Sequence, residues 1–170
     1  LAGVLVVTSD KAYDNDSYDQ AKGEIIFRED DPLGGRDPYS ASKGCQEIVA
    51  RSFAQSYFRE RHIPVVTARA GNVVGGGDWS EDRLMTDIIA AAINDQAVEL
   101  RNPATTRPWQ HVIEPVSAYL MYLQAAVEGK TSLPALNFGP NGSHTVEHVT
   151  RLLLTAWGSR MGTAQQDTTT

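Results

Sequence analysis

Tyr39 and Lys43 stand four residues apart, directly after Asp37-Pro38. Asp followed by Pro opens helices: the carboxylate can cap, and a proline in the first turn lacks only an N–H that would have no partner there. On a helix, that spacing puts the phenol and the ammonium close together on one face. A free tyrosine keeps its proton until about pH 10, and an adjacent ammonium favours the phenolate, each unit of lowered pKa being worth about 1.4 kcal/mol. Such a pair can take a proton from a sugar or alcohol hydroxyl near neutrality. The same spacing also occurs on ordinary helix surfaces, so the elements around it decide its meaning.

Val4 to Val7 is a short β-branched run, the pattern of a strand buried on both faces of a parallel sheet. It switches abruptly to Thr8-Ser9-Asp10-Lys11, and in open parallel sheets ligands bind beyond the carboxyl ends of strands. Asp14 to Arg36 is polar, carries Gly34-Gly35 and reads as a long functional loop. The helix from Pro38 is expected to run to about Arg61, with Cys45, Ile48, Val49 and Phe53 as its core stripe and Tyr39 and Lys43 on the flank. A second strand, within Ile63 to Ala70, ends at Gly71-Asn72. Strand, helix, strand is the crossover unit of a parallel α/β sheet.

Beyond Val74 the elements shorten. Helices are expected over Arg83 to Asn94, Glu114 to Glu128 (Val116, Leu120, Leu123 and Val127 inward) and Val146 to Trp157 (Val149, Leu152, Leu153 and Ala156 inward). Brief strands are expected at Val98 to Leu100, Trp109 to Ile113 and Ala135 to Phe138. The expected division is therefore 1–74 for the sheet with the Tyr/Lys helix and 75–170 for a small mixed lobe.

The composition is that of a soluble globular protein: 170 residues, 41% hydrophobic and 21% charged. Fifteen basic against 21 acidic residues leave a net charge of −6, which argues against general nucleic-acid binding. One cysteine, Cys45, excludes an internal disulfide and fits a reducing compartment. No apolar run reaches the roughly 20 residues of a membrane span and no signal peptide is visible, so a cytoplasmic location is the default. Neither Gly34-Gly35 nor Gly75-Gly76-Gly77 has the strand-turn-helix setting of a dinucleotide phosphate site. The apolar start and the polar Gln165 to Thr170 tail read as the ends of a piece of a longer protein.

Six stretches in order carry a family resemblance: Val7-Thr8-Ser9-Asp10-Lys11, Asp31-Pro32-Leu33-Gly34-Gly35, Asp37-Pro38-Tyr39-Ser40 with Ser42-Lys43-Gly44, Arg69 to Trp79, Arg107-Pro108-Trp109-Gln110-His111-Val112, and Asn137-Phe138-Gly139-Pro140. With them the chain resembles the extended short-chain dehydrogenase/reductase family, in its nucleotide-sugar branch, and most of all the 4,6-dehydratases of the CDP-glucose type. The resemblance implies an α/β fold, the C-terminal part of a Rossmann-type parallel sheet plus a small mixed α/β substrate-binding lobe. It implies NAD as cofactor, its Gly-rich turn lying in a preceding part of the protein, and a nucleotide sugar as substrate. A homodimer is implied for the full-length protein, with no nucleic-acid or membrane partner.

By the same resemblance Tyr39 takes the proton of the sugar 4-hydroxyl while hydride leaves C4. Lys43 lowers the phenol's pKa and bonds the nicotinamide ribose, Ser9 bonds the 4-oxygen, and Asp10 protonates the departing 6-hydroxyl. Lys11 stands where related dTDP-glucose enzymes carry a glutamate. It is either a neutral base for the C5 proton, which requires lowering its pKa from about 10.4 at some 4–5 kcal/mol, or a cation that stabilises the enolate. Asn72 and Arg107 are the substrate-side candidates, the Arg fork suiting a pyrophosphate. Arg69 could equally pair with a carboxylate and anchor its strand. Trp109 is expected in the core, while Trp79 could stack on a base or fill the core. Between Asn15 and Phe27 the chain lacks the tryptophans that the resemblance would put beside the sugar pocket. The alternatives are a 4-epimerase of the same family, which shares Tyr39 and Lys43 but has no need of Asp10 and Lys11, and a non-catalytic nucleotide-sugar-binding module. The 170 residues alone are expected to be inactive.

Overall fold

The structure, a computed structural model, describes residues 1–14, 26–158 and 163–165. In chain order the elements are β1 (Val4–Val7), α1 (Pro38–Phe53), β2 (Val65–Ala70), β3 (Val73–Val74) and α2 (Leu84–Ile93). There follow β4 (Val98–Leu100), β5 (Thr106–Arg107), β6 (Gln110–His111), α3 (Ile113–Val127) and β7 (Ala135–Phe138). β8 (His144–Thr145), α4 (Val146–Trp157) and β9 (Thr163–Gln165) complete the described chain. The chain divides into two compact units.

The first unit, Leu1–Gly71 with Val112–Gly139, is a parallel three-stranded sheet in the order β1-β2-β7. Val4 pairs in register with Val65, and Arg69 with Asn137. Alternation along β2 sends Val66 to a core with Tyr122 and Ala126 of α3, joined by Leu5, Leu136 and Phe138. It sends Thr67 and Arg69 to the other face, where they bond Glu47 of α1. Both faces of β2 are covered, as a central parallel strand requires, and its last five residues are buried. β1 departs from the expected double burial: among the described residues it stands at one edge of this sheet and is half-buried, with Val7 exposed.

α1 begins as its sequence dictates. The Asp37 carboxylate accepts the Ser40 N–H at 3.0 Å and the Ser40 hydroxyl at 2.6 Å, bonds that lower its pKa, and Pro38 fills the first turn. Beyond Phe53 the helix loosens to one wider turn over Ala54–Phe58 and tightens over Arg59–Arg61. His62, at φ 52°, ends it in the left-handed region. The buried face is not the expected stripe. Ser40, Gly44, Glu47 and Ala50 face the sheet, whereas Cys45, Ile48, Val49 and Phe53 are exposed. The face presented to the sheet must be small or hydrogen-bonding, because it meets backbone and the polar side of β2. A Cβ on Gly44 would stand 3.1 Å from the Gly34 carbonyl oxygen, and one on Gly35 (φ 154°) only 2.4 Å from the Ala41 nitrogen.

The second unit, Asn72–His111 with Pro140–Thr170, packs α2, β4 and α4 around Ile88, Ala92, Val98, Leu100 and Leu154. Thr145 caps α4 by accepting the His148 N–H at 3.1 Å, and Gly158, at φ 78°, closes it. Three two-stranded pairs, β3-β6, β4-β9 and β5-β8, complete this unit. Its α4 buries Thr150 and Leu154 rather than Leu152, which is exposed.

The expected 74/75 division is therefore corrected. Residues 112–139 return to the first unit, because β7 takes its hydrogen bonds from β2 and α3 covers the sheet face that α1 leaves open. In α3 the inward residues are Pro115, Tyr122 and Ala126, while Val116, Leu120 and Val127 are largely exposed. Leu123 and Val127 nevertheless touch the chain at Gly3, where an added Cβ would meet them at 3.0 and 2.7 Å.

Candidate active site

All five residues expected at the reacting centre lie in the first unit. β1 ends at Val7, and Ser9 caps a single tight turn over Asp10–Ala12. The Ser9 hydroxyl accepts the Lys11 N–H at 3.2 Å and donates to Asp10 Oδ1 at 2.9 Å. Ser9 is buried, Asp10 half-buried and Lys11 exposed. Gly34 donates its N–H to the Ala12 carbonyl at 2.9 Å, and Gly44 lies beside the same carbonyl, so the turn packs directly on α1.

On α1 the spacing behaves as the helix geometry demands: Lys43 Nζ stands 5.6 Å from the centroid of the Tyr39 ring. Tyr39 is 55% exposed. Lys43 Nζ donates to Gln46 Oε1 at 3.3 Å, which leaves donors on the ammonium for another acceptor. The first two turns of α1 and the Ser9–Ala12 turn thus present a hydroxyl, a carboxylate, a phenol and two ammonium groups from one end of the parallel sheet, the end where such sheets bind ligands.

Beneath these groups lies a polar network that the sequence did not reveal. Glu47 and Arg69, 4% and 5% exposed, form an ion pair at 2.9 Å. Glu47 also accepts the hydroxyls of Thr67 at 2.7 Å and of Thr8. Burial works to raise the Glu47 carboxyl's pKa, but hydrogen bonds from Arg69, Thr8 and Thr67 and the Arg69 charge outweigh it, and the net direction is down. Arg69 Nη1 donates to Tyr13 Oη at 2.7 Å and to the Glu29 carbonyl at 3.0 Å. Tyr13 in turn donates to Asn137 Oδ1 at 2.7 Å and stacks on Phe27. Burial raises the Tyr13 pKa against the influence of Arg69. Arg69 is thus an anchoring residue. The signal for Glu47 was the continuation of the Tyr39, Lys43 row by another four residues.

Asn72 and Arg107 lie in the second unit, where both line a pocket of about 700 Å³ between α2, β4 and the Thr105–Trp109 segment. Its walls mix charges, Asp87 and Glu99 with Arg101 and Arg107. Arg107 Nη1 donates to the Thr106 carbonyl at 2.9 Å. Trp109, which also lines this pocket, is half-buried rather than core, and its indole Nε1 is buried without a hydrogen-bond partner among the described residues. Trp79 is 67% exposed and fills no core. Residues 15–25, most of the expected departure in the sugar-side loop, lie outside the described residues.

A sequence model described as the NAD dependent epimerase/dehydratase family matches residues 3–154. The chain belongs to this family. It is 44% identical over 166 residues to the CDP-glucose 4,6-dehydratase of Salmonella typhimurium, covering 93% of this chain and 45% of that protein. Among solved structures it resembles dTDP-glucose 4,6-dehydratase from Bacillus anthracis in complex with NAD, with TM-score 0.78, 22% identity, and coverage of 96% of this chain and 50% of that one. It also resembles UDP-N-acetylglucosamine 4-epimerase from Methanobrevibacter ruminantium in complex with UDP-N-acetylmuramic acid, with TM-score 0.80, 19% identity, and coverage of 98% and 50%. The expected parallel α/β fold is the fold of this family, and the chain spans about half the length of these relatives.

Whether the chain's groups fit the dinucleotide that names the family can be tested on its geometry. The exposed Tyr39 phenol and the spare donors of Lys43 fit a ribose. Neither Gly34-Gly35 nor Gly76-Gly77 makes a phosphate cradle. Gly34 and Gly35 are filled by protein atoms, Asp14 and Ser40 among them, and Gly76 and Gly77 have nothing within 4 Å of an added Cβ. No helix among the described residues is long and apolar enough to cross a membrane, and none of their His, Cys, Asp and Glu side chains cluster as a metal site.

Proposed function

We propose that the full-length protein is a nucleotide-sugar 4,6-dehydratase that converts CDP-glucose to its 4-keto-6-deoxy form. The observation that carries this reading is the Ser9–Ala12 turn, with its Asp10 carboxylate and Lys11 ammonium, packed on the helix that bears Tyr39 and Lys43. The likeness to a CDP-glucose 4,6-dehydratase over nearly the whole chain supports the choice of substrate.

Tyr39, held beside the Lys43 ammonium, takes the proton of the sugar 4-hydroxyl, while the Ser9 hydroxyl bonds the 4-oxygen as it becomes a ketone. Lys43 would hold the nicotinamide ribose of NAD, which when bound would supply the acceptor for the hydride leaving C4 and the donor of that hydride to C6. The ketone acidifies the C5 proton. Lys11 serves that carbon, as a neutral base or as a cation facing the enolate, and Asp10 gives its proton to the departing 6-hydroxyl so that water leaves across C5 and C6. In the second unit, Arg107 and Asn72 take the diphosphate, an arginine fork matching paired phosphate oxygens.

A 4-epimerase would use Tyr39 and Lys43 in the same way but has no task for an acid and a base at C6 and C5, so the Asp10-Lys11 pair favours dehydration. Chromatography of the product from CDP-glucose tests the choice. A 4-keto-6-deoxy sugar is expected, and inversion at C4 with the 6-hydroxyl retained would refute the reading.

A further inference from the structure

The groups of the candidate site are spread over the end of one strand and the start of one helix, and a single buried carboxylate joins both. Glu47 continues the Tyr39, Lys43 row along α1 by another four residues, so it lies on the same side of the helix, deeper in the unit. One of its oxygens accepts the hydroxyl of Thr8, the residue before Ser9. The other accepts Thr67 at 2.7 Å and Arg69 Nη2 at 2.9 Å, both on β2. Arg69 then reaches Tyr13, the residue that closes the Asp10–Ala12 turn, at 2.7 Å. The turn that carries Ser9, Asp10 and Lys11 is therefore held at both ends by one ion pair, on its entry side through Thr8 and on its exit side through Tyr13.

Stability alone does not account for such a device. Apolar residues of the same volume hold a helix on a sheet equally well or better, because a buried ion pair must first be desolvated. Apolar packing, however, tolerates sliding and rotation, whereas charged hydrogen bonds have fixed directions and lengths. What the network adds is register between α1 and the turn.

We propose that Glu47 is a positioning residue, which through Thr8 and Arg69 sets the Tyr39/Lys43 row of α1 against the Ser9–Lys11 turn. Its catalytic consequence rests on the dehydratase reading above; its geometric content does not. Removing Glu47 itself leaves Arg69 buried without its partner and can unfold the unit, so the decisive variants lie one bond away. Thr8→Val and Thr67→Val each delete one hydroxyl donor to Glu47 while keeping the side-chain shape. Thr8 adjoins the turn, and Thr67 lies mid-strand on β2.

In the full-length protein, the exchange of the Lys11 and Ala12 amides and the steady-state kinetics with CDP-glucose and NAD are measured for both variants. Misplacement by fractions of an ångström is expected to lower kcat about tenfold or more in Thr8→Val with KM nearly unchanged, and to speed exchange of the two amides by a similar factor. Thr67→Val is expected to match the unaltered protein in both readouts. Equal behaviour of the two variants, or faster exchange in Thr8→Val with kcat unaltered, overturns the positioning role. Should the exchange difference appear while the unaltered protein forms no 4-keto-6-deoxy product, the dehydratase reading fails and the geometric part of the proposal stands.

Discussion

At the scale of single residues, an exposed group of the candidate site is the one to which the proposed reaction assigns the first proton transfer. Tyr39 is 55% exposed and its phenol makes no hydrogen bond with the described residues, so removal of the hydroxyl is expected to leave the fold intact. Tyr39→Phe is expected to lower turnover by about 10²–10⁴-fold, the worth of a positioned base, with an unchanged thermal midpoint. Comparable turnover by the variant would remove Tyr39 from its role. Glu47 shows the opposite pattern: it is buried, and both of its oxygens are hydrogen-bonded. Its pKa is held below the ordinary 4.5, so the stability that its ion pair contributes is fully present above about pH 4.5 and is lost as pH falls through the lowered folded value. Glu47→Gln leaves Arg69 buried opposite a neutral amide, at a cost of about 3–5 kcal/mol near pH 7. Urea midpoints taken near neutrality and well below pH 4.5 should therefore converge, the unaltered protein losing more stability than the variant on acidification. Parallel losses would show that Glu47 titrates alike in the folded and unfolded chain.

Among the elements, α1 is where sequence and structure agree most and also where they part. Its start was legible because Asp37-Pro38 is a local signal and the cap it predicts is made. Its length was legible too. Its buried side was not: the periodicity of Cys45, Ile48, Val49 and Phe53 identifies an apolar stripe but says nothing of what covers it, and here Ser40, Gly44, Glu47 and Ala50 face the sheet. Close approach dictates that choice. An alanine at Gly35 would add a Cβ 2.4 Å from the Ala41 nitrogen in a backbone conformation that side chains rarely adopt. Gly35→Ala is expected to destabilise the first unit by about 2–4 kcal/mol, read as a lower urea midpoint at unchanged slope. An unchanged midpoint would mean that the loop can leave α1 without loss. The Glu47–Arg69 pair was illegible for a related reason. Charges in a sequence are ordinarily solvated, and only the pairing of α1 with β2 brings these two together.

For the molecule as a whole, the strand order was only half legible. Two apolar runs flanking a capped helix specify a parallel crossover locally, whereas the four residues of β7 carry no sign of which strand they will join. They join β2, and residues 112–139 go with the first unit. The second unit keeps its own core, in which Ile88 is fully buried. Ile88→Ala is expected to cost about 2–5 kcal/mol there, raising amide exchange in α2, β4 and α4 while β2 keeps its protection. Equal loosening of β2 would show that the two cores melt as one. The proposed dehydration requires that a proton leave C5 of the sugar. Turnover of CDP-glucose by the full-length protein with NAD in deuterium oxide reads that event directly. A 4-keto-6-deoxy product carrying solvent deuterium at C5 is expected, and a product with no deuterium at C5 would contradict the proposed dehydration.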